Sequence, residues 1–158
     1  MKVLVADPLH QDGLDLLDTE PDLHVEIRLK MKPEELVEVI TEFDALIVRS
    51  ESQVTAEVIE AGTKLRVVGR AGVGVDNIDL DAATRKGIAV VNAPTGNTIA
   101  AAEHTIAIMM SLSRHITQAN ASMRMEQWKR ADFMGIEVKG KTLGILGLGR
   151  VGSEVAKR

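Results

Sequence analysis

Residues 65–91, LRVVGRAGVGVDNIDLDAATRKGIAVV, place two short apolar runs, Leu65–Val68 and Ile88–Val91, on either side of a glycine-rich turn and a helix-period segment. The runs are mostly β-branched and read as strands. Between them Asp79–Lys86 reads as a helix that ends at Gly87, a residue suited to closing it. A strand, a helix and a strand in this order make a crossover unit with parallel strands, and such crossovers are right-handed. The same rhythm extends toward the N-terminus. Val3–Ala6, Leu23–Ile27 and Ala45–Val48 read as strands, and Gln11–Asp18, Pro33–Phe43 and Thr55–Ala61 as helices, with Pro33 at a first helical position and Gly62 at a C-cap. This alternation predicts an α/β, flavodoxin-like domain: a parallel sheet covered by helices on both faces.

Toward the C-terminus the rhythm changes after Pro94-Thr95-Gly96, which marks a seam between two domains, residues 1–97 and 98–158. A long helix is expected from about Thr98 to Thr117, with Ile99, Ala102, Ile106, Met109 or Met110, Ser113 and Ile116 on one face that must be buried. A shorter helix over Ala119–Lys129 and a sixth strand over Thr142–Leu146 follow. Next comes Gly147-Leu148-Gly149-Arg150-Val151-Gly152, a GxGxxG that opens into the helix-forming Ser153-Glu154-Val155-Ala156. In that setting Gly147 makes the tight turn, Gly149 lets the backbone approach a pyrophosphate, and Gly152 permits close packing of helix on strand. The second domain therefore reads as the start of a Rossmann dinucleotide-binding domain. The acidic residue that binds the ribose is expected roughly 20 residues further on, beyond Arg158.

Composition narrows the function classes. The 158 residues are 45% hydrophobic and contain no cysteine, which excludes a disulfide scaffold, a thiol nucleophile and a thiolate metal site. A net charge of -4 and only three aromatic residues, Phe43, Phe133 and Trp128, argue against nucleic acid. The most apolar stretch, Ile99 to Leu112, is interrupted by Glu103 and His104 and is too short to cross a membrane, and the run Val3–Ala6 is too short for a signal peptide. A cytoplasmic location is expected.

Several residues could carry chemistry. Gly69–Asn77 follows the fourth strand at the carboxyl edge, where open parallel sheets bind ligands. Its amides around Gly72 and Gly74 form either an anion nest or a plain glycine-rich turn. Arg49 and Ser50 follow the third strand on the same edge, and arginine suits bidentate capture of carboxylate or phosphate. Gly135–Thr142 satisfies GxxxxGK[ST], but Thr142 leads into a strand rather than a helix, so nucleotide hydrolysis is not expected. His10 and His24 read as surface residues. His104 and His115 stand eleven apart, which is no metal spacing, so no metal is expected. A receiver-like signalling domain would need an acidic residue after the third strand, where Arg49-Ser50 stands instead.

Taken together, Arg49-Ser50, the segments 67–79, 83–88, 92–97 and 101–105, and Gly140 through Arg150 resemble the D-isomer-specific 2-hydroxyacid dehydrogenases. Within that family they are similar to the members that oxidise 3-phosphoglycerate. The resemblance implies NAD as cofactor and conversion of 3-phosphoglycerate to 3-phosphohydroxypyruvate, the entry step of serine biosynthesis. It implies that Arg49 and Ser50 face the substrate, that the amides of Gly72, Val73 and Gly74 hold its carboxylate, that Asn97 lies by the cleft and that Arg130 recognises the phosphate. Val73 would also lie near the nicotinamide, and Gly147, Gly149, Arg150, Val151 and Gly152 would hold the cofactor phosphates. A homo-oligomer through the 98–117 helix region is implied as well. The family's catalytic Arg, Glu and His match no position in residues 1–158, so no catalytic residue is expected among them. These residues are therefore expected not to transfer hydride by themselves, with marginal stability beyond residue 97 and self-association through the Ile99–Ile116 face. The alternative expectation is a truncated chain that binds the substrate anion or pairs with full-length subunits.

Overall fold

The computed structural model describes residues 1–158, which divide into two compact units, Met1–Gly96 and Asn97–Arg158. In the first unit β1 (Lys2–Val5), β2 (His24–Ile27), β3 (Ala45–Val48), β4 (Val67–Arg70) and β5 (Ala89–Asn92) alternate with α1 (Gln11–Asp18), α2 (Pro33–Val39), α3 (Ala56–Ala61) and α4 (Leu80–Lys86). All strand pairs are parallel, in the order β2-β1-β3-β4-β5. That order is the flavodoxin-like one, with the switch point between β1 and β3.

The inner strands explain the apolar runs. β1 and β3 are covered on both faces, so Leu4, Val5, Leu46 and Val48 are all fully buried and no polar alternation interrupts them. Ile40, Phe43, Val58, Ile59 and Val68 complete this core. α3 and α4 start at side-chain caps. Thr55 accepts from the Val58 N–H and Asp79 from the Ala82 N–H, and α4 closes at Gly87 in the left-handed region, φ 69°. The expected helix over 33–43 ends at Val39 and tightens into a 3-10 turn, Ile40–Glu42, that turns the chain into β3. The fourth strand lies two residues later than its apolar run, because its ladder with β3 continues to Val48↔Arg70. Gly69 and Arg70 are thus strand residues, and the loop begins at Ala71.

The second unit departs further from expectation. The long helix, α5 (Thr98–Ser113), stops four residues early, and α6 (Ile116–Arg124) follows a corner at Arg114-His115, with His115 at φ 51°. Two bonds explain the stop. The Ser113 hydroxyl turns back onto the Met109 carbonyl at 2.8 Å, and the Ser113 carbonyl accepts from the Ile136 N–H at 2.8 Å instead of from the next helical turn. The shorter helix accordingly lies over 116–124 rather than 119–129. A 3-10 turn, Arg130–Phe133, precedes an irregular stretch and then α7 (Arg150–Lys157).

No sixth strand forms over Thr142–Leu146, and Leu143 and Leu146 are exposed. A strand requires a hydrogen-bonded neighbour, and this unit contains no other strand to supply one. The glycine turn and α7 are therefore present without a sheet beside them. The expected apolar face is only partly covered: Ala102 is buried and Ile106 and Met109 are half-buried, while Ile99 and Met110 of α5 and Ile116 of α6 are exposed. α7 packs against α5, and Arg158 pairs with Glu103 of α5 at 3.5 Å. No helix is long and apolar enough to cross a membrane.

Candidate functional site

At the carboxyl edge of the first unit, three chain segments leave adjacent strands. Asp7 follows β1, Arg49 and Ser50 follow β3, and Ala71–Gly74 follows β4. Arg49 and Ser50 are exposed, and the Arg49 guanidinium makes one long bond, 3.4 Å, to the Pro8 carbonyl. Pro8, Leu9, His10, Arg49 and Ala71 line an open depression of about 550 Å³. A cation that is neither buried nor ion-paired, standing in a depression, is available to an anionic ligand.

The glycine loop is shaped by its own bonds. The Gly72 N–H is donated to the Arg70 carbonyl at 2.8 Å, and the Gly72 carbonyl accepts from Ala93 N–H at 2.9 Å. The Val73 carbonyl accepts from Asn92 Nδ2 at 2.6 Å. None of the loop's hydrogen bonds uses the N–H of Val73 or Gly74. Those two amides are therefore the ones left for an anion. A Cβ on Gly72 would lie 2.6 Å from Arg70 Nη1, so the glycine lets that guanidinium run beneath the loop.

Two buried polar residues, Asp7 and Asn77, and the half-buried Arg70, none of which sequence reading singled out as a site residue, hold this edge together. The Asp7 carboxylate accepts from the N–H groups of Arg49 (2.6 Å), Glu51 (3.2 Å) and Ser52 (3.1 Å) and from the Ser52 hydroxyl (2.5 Å). Asn77 Nδ2 donates to the carbonyls of Arg49 (2.8 Å) and Ser52 (2.6 Å). Arg70 Nε donates to Asn77 Oδ1 at 2.8 Å, and its Nη2 lies 3.8 Å from Asp76 Oδ1. Arg49, Ser50 and the 72–74 loop are thereby brought together, since Asn77 and the Ala71-to-Val48 backbone bond tie the two loops. The one available signal was position: Asp7 and Asn77 are polar residues flanking a strand end and a glycine loop.

In the second unit Asn97 stands at the N-cap of α5 without a side-chain capping bond. Arg130 opens the 3-10 turn and lines a pocket of about 230 Å³ with Arg114, Lys129, Trp128 and Phe133. The Gly147–Gly152 turn is shaped by its glycines. Gly147 sits at φ 94°, and the space where Gly149 would carry a Cβ is empty. A Cβ on Gly152 would strike the Gly147 carbonyl oxygen. Arg150 and Val151 begin α7, whose first-turn amides have no helical acceptor. The turn is tied by Ser153, whose N–H donates to the Gly149 carbonyl at 2.9 Å and whose hydroxyl donates to the Leu148 carbonyl at 3.0 Å. An apolar pocket of about 590 Å³ beside it is lined by Ile106, Met109, Ile145, Val151 and Val155 among others. At the other end of α7, hydrogen bonds from Lys157 and then Arg158 hold the Glu154 carboxyl below its ordinary value.

The remaining candidates stay apart. His104 is exposed on α5, His115 lies in the corner between α5 and α6, and His10 accepts the Asp12 N–H at the start of α1. No group of three or more His, Cys, Asp or Glu side chains is placed to hold a metal ion. Residues 135–142 run irregularly, with no strand before them and no helix after, unlike a nucleotide-hydrolase phosphate loop.

Residues 3–147 match the family model of the catalytic domain of D-isomer specific 2-hydroxyacid dehydrogenases, and the chain belongs to that family. Among curated relatives it is 53% identical over 158 residues to D-3-phosphoglycerate dehydrogenase of Archaeoglobus fulgidus, covering 100% of this chain and 30% of that protein. It is also 53% identical over 157 residues to the enzymes of that name from Bacillus subtilis and Homo sapiens, covering 99% of this chain and 29% of each. The chain thus spans under a third of the length of these relatives. Among solved structures, a protein from Thermus thermophilus superposes with a TM-score of 0.90 at 34% identity, covering 99% of this chain and 52% of that one. The NAD+-bound 3-phosphoglycerate dehydrogenase of Entamoeba histolytica superposes with a TM-score of 0.79 at 32% identity, covering 99% of this chain and 49% of that one.

Proposed function

We propose that residues 1–97 form the substrate-binding part, and residues 98–158 the start of the dinucleotide-binding part, of an NAD-dependent oxidoreductase that converts 3-phosphoglycerate to 3-phosphohydroxypyruvate for serine biosynthesis. The observation that carries this reading is the 53% identity with D-3-phosphoglycerate dehydrogenases over essentially the whole chain. It runs through both the anion-binding edge and the glycine turn.

In this reading Arg49 and Ser50 bind the anionic substrate, and the free N–H groups of Val73 and Gly74 receive its carboxylate. Asn97 contributes beside the cleft and Arg130 contacts the phosphate. Gly147, Gly149, Arg150, Val151 and Gly152 hold the cofactor's pyrophosphate, with Val73 toward its nicotinamide end. NAD, when bound, supplies the acceptor for the hydride that leaves the hydroxyl-bearing carbon. The family's Arg, Glu and His correspond to no residues here, so these 158 residues bind and orient without turning over. Ile108 and Leu112 are exposed apolar residues on consecutive turns of α5, and Ile116 at the start of α6 is exposed as well; we assign to them the pairing of two copies of the chain. Sedimentation velocity on the chain and on Leu112→Asp tests that assignment. A dimer that the substitution dissociates is expected, and a monomer in both contradicts the pairing.

Titrating 3-phosphoglycerate into the chain and into Arg49→Ala by calorimetry tests the substrate. A hydrogen bond to a charged group contributes about 1.5–3 kcal/mol, so affinity is expected to fall about tenfold or more. Stability should stay the same, because the Arg49 side chain is exposed and holds nothing but one long bond. Equal affinity in the two proteins contradicts the role of Arg49.

A further inference from the structure

We infer that Asp7 and Asn77 are positioning residues for Arg49 and Ser50: they grip the 49–52 loop from its donor side and its acceptor side and so fix how the anion-binding side chains leave the sheet edge. The inference rests on the substrate role proposed above for those two residues. Asp7 is 1% exposed and Asn77 6%. An ionised carboxylate buried that deeply is costly unless donors surround it. Those donors here are three backbone N–H groups and one hydroxyl, and all belong to Arg49, Glu51 and Ser52. A carboxylate serving only the core would have no reason to direct every bond to one four-residue loop.

Asn77 completes the grip. Its amide N–H groups take the two carbonyls, Arg49 and Ser52, that lie at the ends of the loop. Its oxygen accepts from Arg70 Nε, the guanidinium that runs beneath Gly72. The chain Asp7, loop 49–52, Asn77, Arg70 therefore links the anion-binding arginine to the glycine loop through bonds of 2.5–3.2 Å. Binding groups held this way lose little freedom when an anion arrives, which is how a supporting shell raises affinity without touching the ligand.

The test combines local hydrogen exchange with 3-phosphoglycerate binding in the 158-residue chain. Asp7→Asn keeps the side-chain volume but turns an NH2 toward donors. Protection of the amides of Arg49, Glu51 and Ser52 is expected to fall about tenfold or more, and affinity for 3-phosphoglycerate about tenfold, while protection in β1, β3 and β4 persists. Ser52→Ala removes one donor only and serves if Asp7→Asn fails to fold; it should loosen the same amides and weaken binding by about threefold. Loop amides that stay protected, or an affinity unchanged while they are released, overturn the positioning role. A wild-type chain that binds no 3-phosphoglycerate overturns this role and the functional reading together. A wild-type chain that binds, with both variants binding equally well, overturns the role alone.

Discussion

Phe43→Ala is expected to cost the first unit about 3–5 kcal/mol, the usual range for removing a large buried aromatic ring. Phe43 is 1% exposed and stands where the 3-10 turn after α2 hands the chain to β3, with its N–H bonded to the Ile40 carbonyl at 3.1 Å. Leu36, Ile40 and Leu46 belong to the same core, so truncation leaves a void beneath the helix layer. The ring also faces Lys2 Nζ at 5.9 Å and the Arg28 guanidinium at 5.8 Å, contacts worth about 0.5–1 kcal/mol each at exposed sites. Small domains are stable by about 5–15 kcal/mol in total, so the variant loses a large part of that margin. Urea unfolding followed by far-UV circular dichroism should show the midpoint falling by about 1–3 M. Phe43→Leu, which keeps most of the volume, should cost less than half as much. An unchanged midpoint for the alanine variant would mean that this ring does not anchor the core.

The inner strands were legible in the sequence, whereas Phe43, read as the end of a helix, was not marked as core. β1 and β3 are buried on both faces, so burial wrote itself into uninterrupted apolar runs, and the crossover pattern then fixed parallel pairing. The C-caps Gly62 and Gly87 were legible too, since a glycine directly after a helical run closes it. What stayed hidden depends on partners distant in sequence. The end of β4 is set by its ladder with β3, and the end of α5 by the N–H of Ile136. The segment 142–146 has the composition of a strand, but composition supplies no neighbour to pair with. The candidate site divides the same way. Arg49, Ser50 and the glycines show themselves as residue types that follow strands. Asp7 and Asn77 act on a loop 42–45 and 25–28 residues away, and no local pattern reports that.

Binding of NAD at the glycine turn should be lost in two distinguishable ways. Gly152→Ala places a Cβ against the Gly147 carbonyl oxygen and 3.1 Å from the Gly147 carbonyl carbon. Both are backbone atoms, so no flexible side chain can yield, and Gly147 is already committed to φ 94°. The turn must open, which shifts the first-turn amides of α7 and disturbs the packing of α7 on α5. Losing even one hydrogen bond to a charged phosphate costs about 1.5–3 kcal/mol, so affinity should fall on the order of tenfold to a hundredfold. Gly149→Ala acts differently. Its φ of -74° suits alanine and no atom lies within 4 Å of the new Cβ, so the fold should be untouched. That Cβ instead occupies the open space through which a pyrophosphate would approach the backbone. Titration of NADH followed by its fluorescence, alongside thermal unfolding, separates the two effects. Weaker binding and lower stability are expected for Gly152→Ala, and weaker binding at unchanged stability for Gly149→Ala. If both variants bind as the parent chain does, the dinucleotide does not sit on this turn, and Gly152 serves only the close approach of α7 to Gly147.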